Sequence, residues 1–147
     1  MRHEWLLQLF LRVMGTTMLF ALVFVFAPQS WMRTLHALAD LGDMPDTPVV
    51  WYLARSASAL YAMTGGLFWI VSANIGRHHL VLWYLAWSIA VLGAVLCGID
   101  IWAAMPFPWT ITEGPSVLLM AAVMIYLLSR IGHERAKSPT EMYAREP

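Results

Sequence analysis

Four long apolar stretches constrain this chain more than any other feature. They cover residues 5–27, 49–74, 80–104 and 114–131. Each is near or above the roughly 18–20 residues that cross a hydrocarbon core of about 30 Å. Inside such a core no water pairs with the backbone, so an isolated apolar run must satisfy its own N–H and C=O groups as a helix. The fold class expected is all-α: an integral membrane four-helix bundle at residues 1–131, followed by a polar cytoplasmic tail at 132–147. Composition agrees. Apolar residues make up 60% and charged residues 12%, against roughly 45–50% and 25% in soluble domains. A soluble fold of this length has too little interior for that apolar share, whereas lipid solvates the outward faces of a bundle.

The first stretch is longer than the roughly 7–15 apolar residues of a cleaved leader. Pro28 directly after Ala27 also suits cleavage poorly. It is read as a retained helix. Between the first and second stretches, residues 29–41 place Trp31, Leu35, Leu38 and Leu41 on one helical face. This predicts a short amphipathic segment lying in the membrane interface. Asp43, Pro45, Asp46 and Pro48 follow as a turn-rich acidic end.

Lys/Arg bias sets orientation. Arg2, Arg77, Arg130, Arg135, Lys137 and Arg145 fall on one side of a four-span layout, and Arg33 alone on the other. Both termini and the 75–79 loop are therefore expected in the cytoplasm of a multi-pass inner-membrane protein. Arg12 lies near the cytoplasmic end of its span and can snorkel. Trp31, Trp51, Tyr52, Trp102, Phe107 and Trp109 at one level, with Trp5, Trp83 and Tyr84 at the other, match interfacial aromatic belts. The methionines read as adaptable packing.

The second stretch carries Ala54, Ser58, Ala62 and Gly66 at spacing four, and the third carries Ala86, Ala90, Ala94 and Gly98. Small residues let membrane helices approach closely. These stripes predict that the second and third helices pack on one another.

Arg55 and Asp100 are the only charges deep in those two spans. At 1.5 Å per residue they lie about 8 Å and about 6 Å below the outer ends of their helices. A charge at mid-bilayer costs up to about 2.5–3.5 kcal/mol by insertion scales, which pairing offsets. Two readings are open. One is an interhelical Arg55–Asp100 ion pair that locks register. The other is a polar pocket of Arg55, Asp100 and Glu113, open to the outer surface, for an anionic or zwitterionic ligand or lipid head group. Glu113 also has a local explanation: Thr110-Ile-Thr-Glu113 matches a capping box, and Pro115 suits a helix's first turn.

Several chemistries find no residues to carry them. No histidine lies within a span, so paired intramembrane haem ligation is not expected. His78-His79 and His36 with Asp40 are poor metal sites without further ligands. A lone cysteine, Cys97, forms no intrachain disulfide or redox pair. Nucleophile-elbow, phosphate-loop and dinucleotide motifs are absent. The nine basic and nine acidic residues form no basic patch for nucleic acid. No catalytic residue, cofactor or metal is expected, and the chain is read as a non-enzyme.

The layout resembles small four-helix bacterial inner-membrane proteins, broadly the DoxX-like group. The resemblance is carried by a helix ending Phe-Ala-Pro28, the Trp31-Met32 segment, Leu53-Ala-Arg-Ser-Ala-Ser-Ala-Leu-Tyr61 running into Gly65-Gly66, then Gly98-Ile-Asp100 and Glu113-Gly-Pro115. It implies a membrane location and a four-helix bundle, with no catalytic residue to transfer. The leading expectation is an accessory or interaction subunit of a membrane assembly, with the bilayer and a partner membrane protein or second copy as partners. The alternative is a small-ligand or head-group binder or transporter using Arg55, Asp100 and Glu113.

Overall fold

The computed structural model describes residues 2–143, and side chains through Glu134. Among these residues the chain is helical throughout, in the order α1 (Arg2–Leu19), α2 (Leu22–Phe26), α3 (Gln29–Leu38), α4 (Pro48–Ser72), α5 (His79–Trp102) and α6 (Phe107–Tyr143). Three segments are long and apolar enough to cross a membrane: Arg2–Phe26, His79–Trp102 and Phe107–Glu134. α4 is equally long, at 25 residues. Its apolarity is diluted by Arg55 and by Ser56, Ser58, Tyr61, Thr64, Gly65 and Gly66.

α1 and α2 form one interrupted helical segment. At the break, Ala21, Val23 and Phe24 donate to carbonyls three residues back, tightening the turn. Thr16 and Thr17 hydroxyls donate to the carbonyls of Arg12 and Val13, a back-bonding that bends helices. Pro28 then stops α2, with Ala27 extended before it.

The expected amphipathic segment is α3. Trp31, Leu35 and Leu38 are exposed along it, and Met32 packs inward. Its end turns through Asp40 and Gly42, both at positive φ. Arg33 then bonds Asp46 at 3.0 Å, tying α3 to the segment that enters α4.

The helices pair as α1 with α4 and α5 with α6; α2 continues the first pairing, and α1 also touches α6. The predicted seam between the second and third long helices (α4 and α5) is therefore corrected. Close approach occurs at other small residues. A Cβ built on Gly65 would lie 2.6 Å from the Gly15 carbonyl oxygen and 2.9 Å from the Leu19 nitrogen. A Cβ on Gly93 would lie 2.9 Å from the Leu118 nitrogen, and one on Gly114 2.9 Å from the Cys97 nitrogen. Gly66 and Gly98, members of the predicted stripes, have open space beside them. Spacing identified helices able to approach closely, but the working face of α4 is rotated one residue, onto Gly65.

The buried cluster draws on one half of the helical assembly. Leu7 and Leu11 of α1 meet Phe68 and Val71 of α4, Leu82 and Ala86 of α5, and Met124 and Leu128 of α6. That is the half nearest the start of α1. There His3 Nδ1 bonds a Glu134 carboxylate oxygen at 2.6 Å, joining α1 to α6. Arg12 lies over the Trp69 ring at 5.4 Å, and its Nε donates to Ser72 Oγ at 3.5 Å. It thus has partners on α4 beyond the snorkelling expected. Toward the other end the two helix pairs part, leaving an apolar crevice of about 330 Å³ lined by Leu60, Tyr61, Phe68, Ile89, Leu96 and Val117, among others.

α6 differs from the fourth stretch as read. It begins at Phe107, seven residues before 114, and continues through Tyr143 rather than ending at 131. Residues 144–147 of the predicted tail lie outside the described residues. Pro108 is tolerated in its first turn, where its missing N–H has no intrahelical partner. The capping box at Thr110–Glu113 is consequently not formed. Thr110 and Thr112 sit inside the helix and their hydroxyls donate to earlier carbonyls. Pro115 is interior too.

Candidate polar site at the α3 end

Arg55 and Asp100 do not pair. Ion pairs among the described residues join His3 to Glu134 and Arg33 to Asp46. Depth brought the two residues level, but their helices belong to different pairs. Arg55 sits on the side of α4 that faces the end of α2: its Nη2 donates to the Ala27 carbonyl at 3.4 Å. Its Nε is buried and has no hydrogen-bond partner. A buried charge-bearing donor left unpaired is costly, so an orphaned guanidinium N–H marks a place where an acceptor would be favourable.

Beside Arg55 lies an open pocket of about 610 Å³, walled by Gln29, Asp46, Trp51, Tyr52, Arg55 and Ser56, with Pro48 at its edge. One hydrogen-bonded cluster shapes it. Trp51 Nε1 donates to Asp46 Oδ1 at 3.0 Å, and Arg33 bonds the other carboxylate oxygen. The Arg33 guanidinium also lies 5.5 Å from the centre of the Trp51 ring. The Trp51 N–H and the Arg33 guanidinium together hold the Asp46 carboxyl below its ordinary range. Asp46 thus stays ionised, with its charge countered by Arg33. Arg55 is the cation lining the pocket, with Gln29, Tyr52 and Ser56 as neutral polar neighbours.

From sequence Asp46 reads only as part of an acidic turn, Trp51 and Tyr52 as belt aromatics and Gln29 as the start of the amphipathic segment, none of them as site residues. The available signal was the placement of Asp46 and Trp51 either side of Pro48, which starts α4 and carries the Trp51 indole back toward the preceding acidic turn.

Asp100 and Glu113 lie together on the other helix pair. Asp100 is 3% exposed and its Oδ2 has no hydrogen-bond partner. Glu113 accepts the Trp109 indole N–H, and its carboxyl neighbours that of Asp100. The three residues expected to share one site are thus divided, Arg55 from the two carboxyls. No group of three or more His, Cys, Asp or Glu able to hold a metal occurs among the described residues.

Comparison with protein-family models, with curated proteins and with solved structures returned no match.

Proposed function

We propose that this chain is a multi-pass membrane protein that binds an anionic group, the phosphate or carboxylate of a lipid head group or small solute, in the Arg55 pocket. α1–α2, α4, α5 and α6 are the four spans, with both termini on the cytoplasmic side. α4 qualifies by length: its 25 residues reach about 37 Å at 1.5 Å per residue. α3 lies in the outer interface with Trp31, Leu35 and Leu38 toward the acyl chains.

The observation that carries the binding reading is the Arg55 guanidinium at the wall of an open pocket, with Nε unpartnered and one long bond to a backbone carbonyl. Arginine presents several donors in a planar fork that suits phosphate and carboxylate. Binding should be measured for the purified protein with phosphatidylglycerol in mixed micelles and, separately, with glycerol phosphate and inorganic phosphate. Arg55→Ala is expected to weaken binding about tenfold to a hundredfold, the loss of one charge-assisted contact. Response to the lipid alone identifies a head-group site, and response to the free phosphates a solute site. Equal affinities for wild type and Arg55→Ala would remove the proposal.

A second reading, an accessory subunit, draws support from the open faces beside Gly66 and Gly98, where a further helix could approach. Under it, a partner chain co-purifies in mild detergent and is lost on Gly98→Leu. A strictly monomeric preparation counts against it.

A further inference from the structure

The residues lining the Arg55 pocket include one cation, Arg55, and one carboxylate, Asp46. The cation lacks acceptors, since its Nε has no partner. The carboxylate does not lack donors. Asp46 Oδ1 takes the Trp51 indole N–H at 3.0 Å, and Oδ2 takes Arg33 Nη2 at 3.0 Å. Trp51 is engaged as well. It is 6% exposed, so little of its ring is open, and the Arg33 guanidinium lies 5.5 Å from the ring centre. One residue of α3, itself outside the pocket lining, therefore occupies both the carboxylate and the indole of the pocket.

That double contact bears on what can accompany a phosphate bound at Arg55. Proteins hold an ammonium group with a carboxylate or with an aromatic face. Here Arg33 already supplies the positive charge to both. An incoming ammonium has to displace the guanidinium or sit beside it against like-charge repulsion. Tyr52 offers a third ring, but it is largely exposed, and a cation over an exposed ring gains little. Hydroxyl groups meet better surroundings. The side chains of Gln29, Tyr52 and Ser56 line the pocket and make no hydrogen bond with the described part of the chain. They leave one amide and two hydroxyls, each able to donate and to accept.

We propose that the pocket takes phosphate esters of hydroxylated, uncharged alcohols such as glycerol, disfavours esters that carry an ammonium, and owes this preference to Arg33. The inference rests on Arg55 as the phosphate-binding residue and adds the chemistry of the group beyond the phosphate. Arg33 acts by occupying Asp46 and Trp51, not by holding the ligand.

Binding to the full-length protein in detergent is measured at neutral pH for two matched pairs. One is phosphatidylglycerol against phosphatidylethanolamine, with the same acyl chains, in mixed micelles. The other is glycerophosphoglycerol against glycerophosphoethanolamine in solution. Wild type is expected to favour the glycerol member about tenfold, and the pair that binds tells whether a lipid or a free ester is the occupant. Arg33→Gln frees Asp46 and the Trp51 ring. It should raise affinity for the ethanolamine member about threefold to tenfold, the scale of an exposed ion pair plus an exposed cation–π contact. Simple loss of a nearby positive charge would leave affinity for that zwitterion unchanged. Adding Asp46→Asn to Arg33→Gln should reverse most of the gain. Because Arg33→Gln also loosens the tie between α3 and α4, Gln29→Ala and Ser56→Ala test the hydroxyl contacts with that tie intact. Each should weaken the glycerol member about threefold and leave the ethanolamine member unchanged. Equal wild-type affinity for both members, still lost in Arg55→Ala, overturns the preference and leaves the Arg55 site standing. No gain for the ethanolamine member in Arg33→Gln overturns the role of Arg33. Binding that Arg55→Ala does not weaken removes the Arg55 site and the preference together.

Discussion

Asp46 is held from two directions, by the Trp51 indole N–H and by Arg33, and this makes it the most informative single residue at the α3 end. Its carboxyl ionises more readily in the folded protein than in the unfolded chain. The sign follows by linkage. Its stabilising contribution is complete above the ordinary carboxylate range and is lost as pH falls through the lowered folded value. Acidification below about pH 4 should therefore loosen the α3–α4 staple and shift Trp51 emission. Asp46→Asn should remove that acid transition while leaving emission near neutral pH little changed, as followed by fluorescence on a background where the other tryptophans are replaced by phenylalanine. An unaltered acid transition in Asp46→Asn would show that another group is titrating. At this same scale lies the main departure from what sequence suggested. Depth along a helix is legible from residue number, and it set Arg55 and Asp100 level. Direction around the helix axis depends on which neighbour each helix meets, and there the two residues diverge.

Glycine positions decide how the elements pack. Gly65 and Gly15 let α4 and α1 touch backbone to backbone, where a methyl group would meet main-chain atoms that cannot yield cheaply. Gly65→Ala is expected to destabilise by about 1–3 kcal/mol, as overpacking does. Gly66→Ala meets nothing within 4 Å and should be neutral or stabilising by up to about 1 kcal/mol through the unfolded chain. The pair is measured by thermal or denaturant unfolding in detergent, and equal effects would contradict the α1–α4 crossing described above. The same contrast is expected between Gly114→Ala and Gly98→Ala on the α5–α6 pair. Four helical segments and the amphipathic α3 were legible because hydrophobic run length and periodicity are local properties. The start of α6 was not. Thr110–Glu113 carries a capping signature, yet the helix begins earlier at Phe107, because Pro108 fits a first turn and the segment packs back on the end of α5.

For the whole molecule, the proposed four-span arrangement places the 43–46 turn and the 75–78 turn on opposite sides of the membrane. In a Cys97→Ser background, Asp43→Cys should react with an impermeant maleimide added to intact cells, and Arg77→Cys only after permeabilisation. Labelling of both from the same side would mean that α4 does not cross. The helices pack tightly where the start of α1 meets the far end of the described part of α6, with Leu7, Leu11, Phe68, Leu82, Met124 and Leu128 fully buried. It opens toward α3, and both the Arg55 pocket and the Asp100–Glu113 pair lie in that opening half. Sequence alone determined the helical class, the long apolar segments and the position of each rare charge along its helix, because these follow from composition and from a fixed rise per residue. Tertiary structure alone decided that α4 pairs with α1 and α5 with α6, and hence that Arg55 faces an open pocket while Asp100 faces Glu113. Helix pairing depends on which small-residue faces meet across tens of residues, and α4 and α5 each carry glycines that meet a neighbour and glycines that do not.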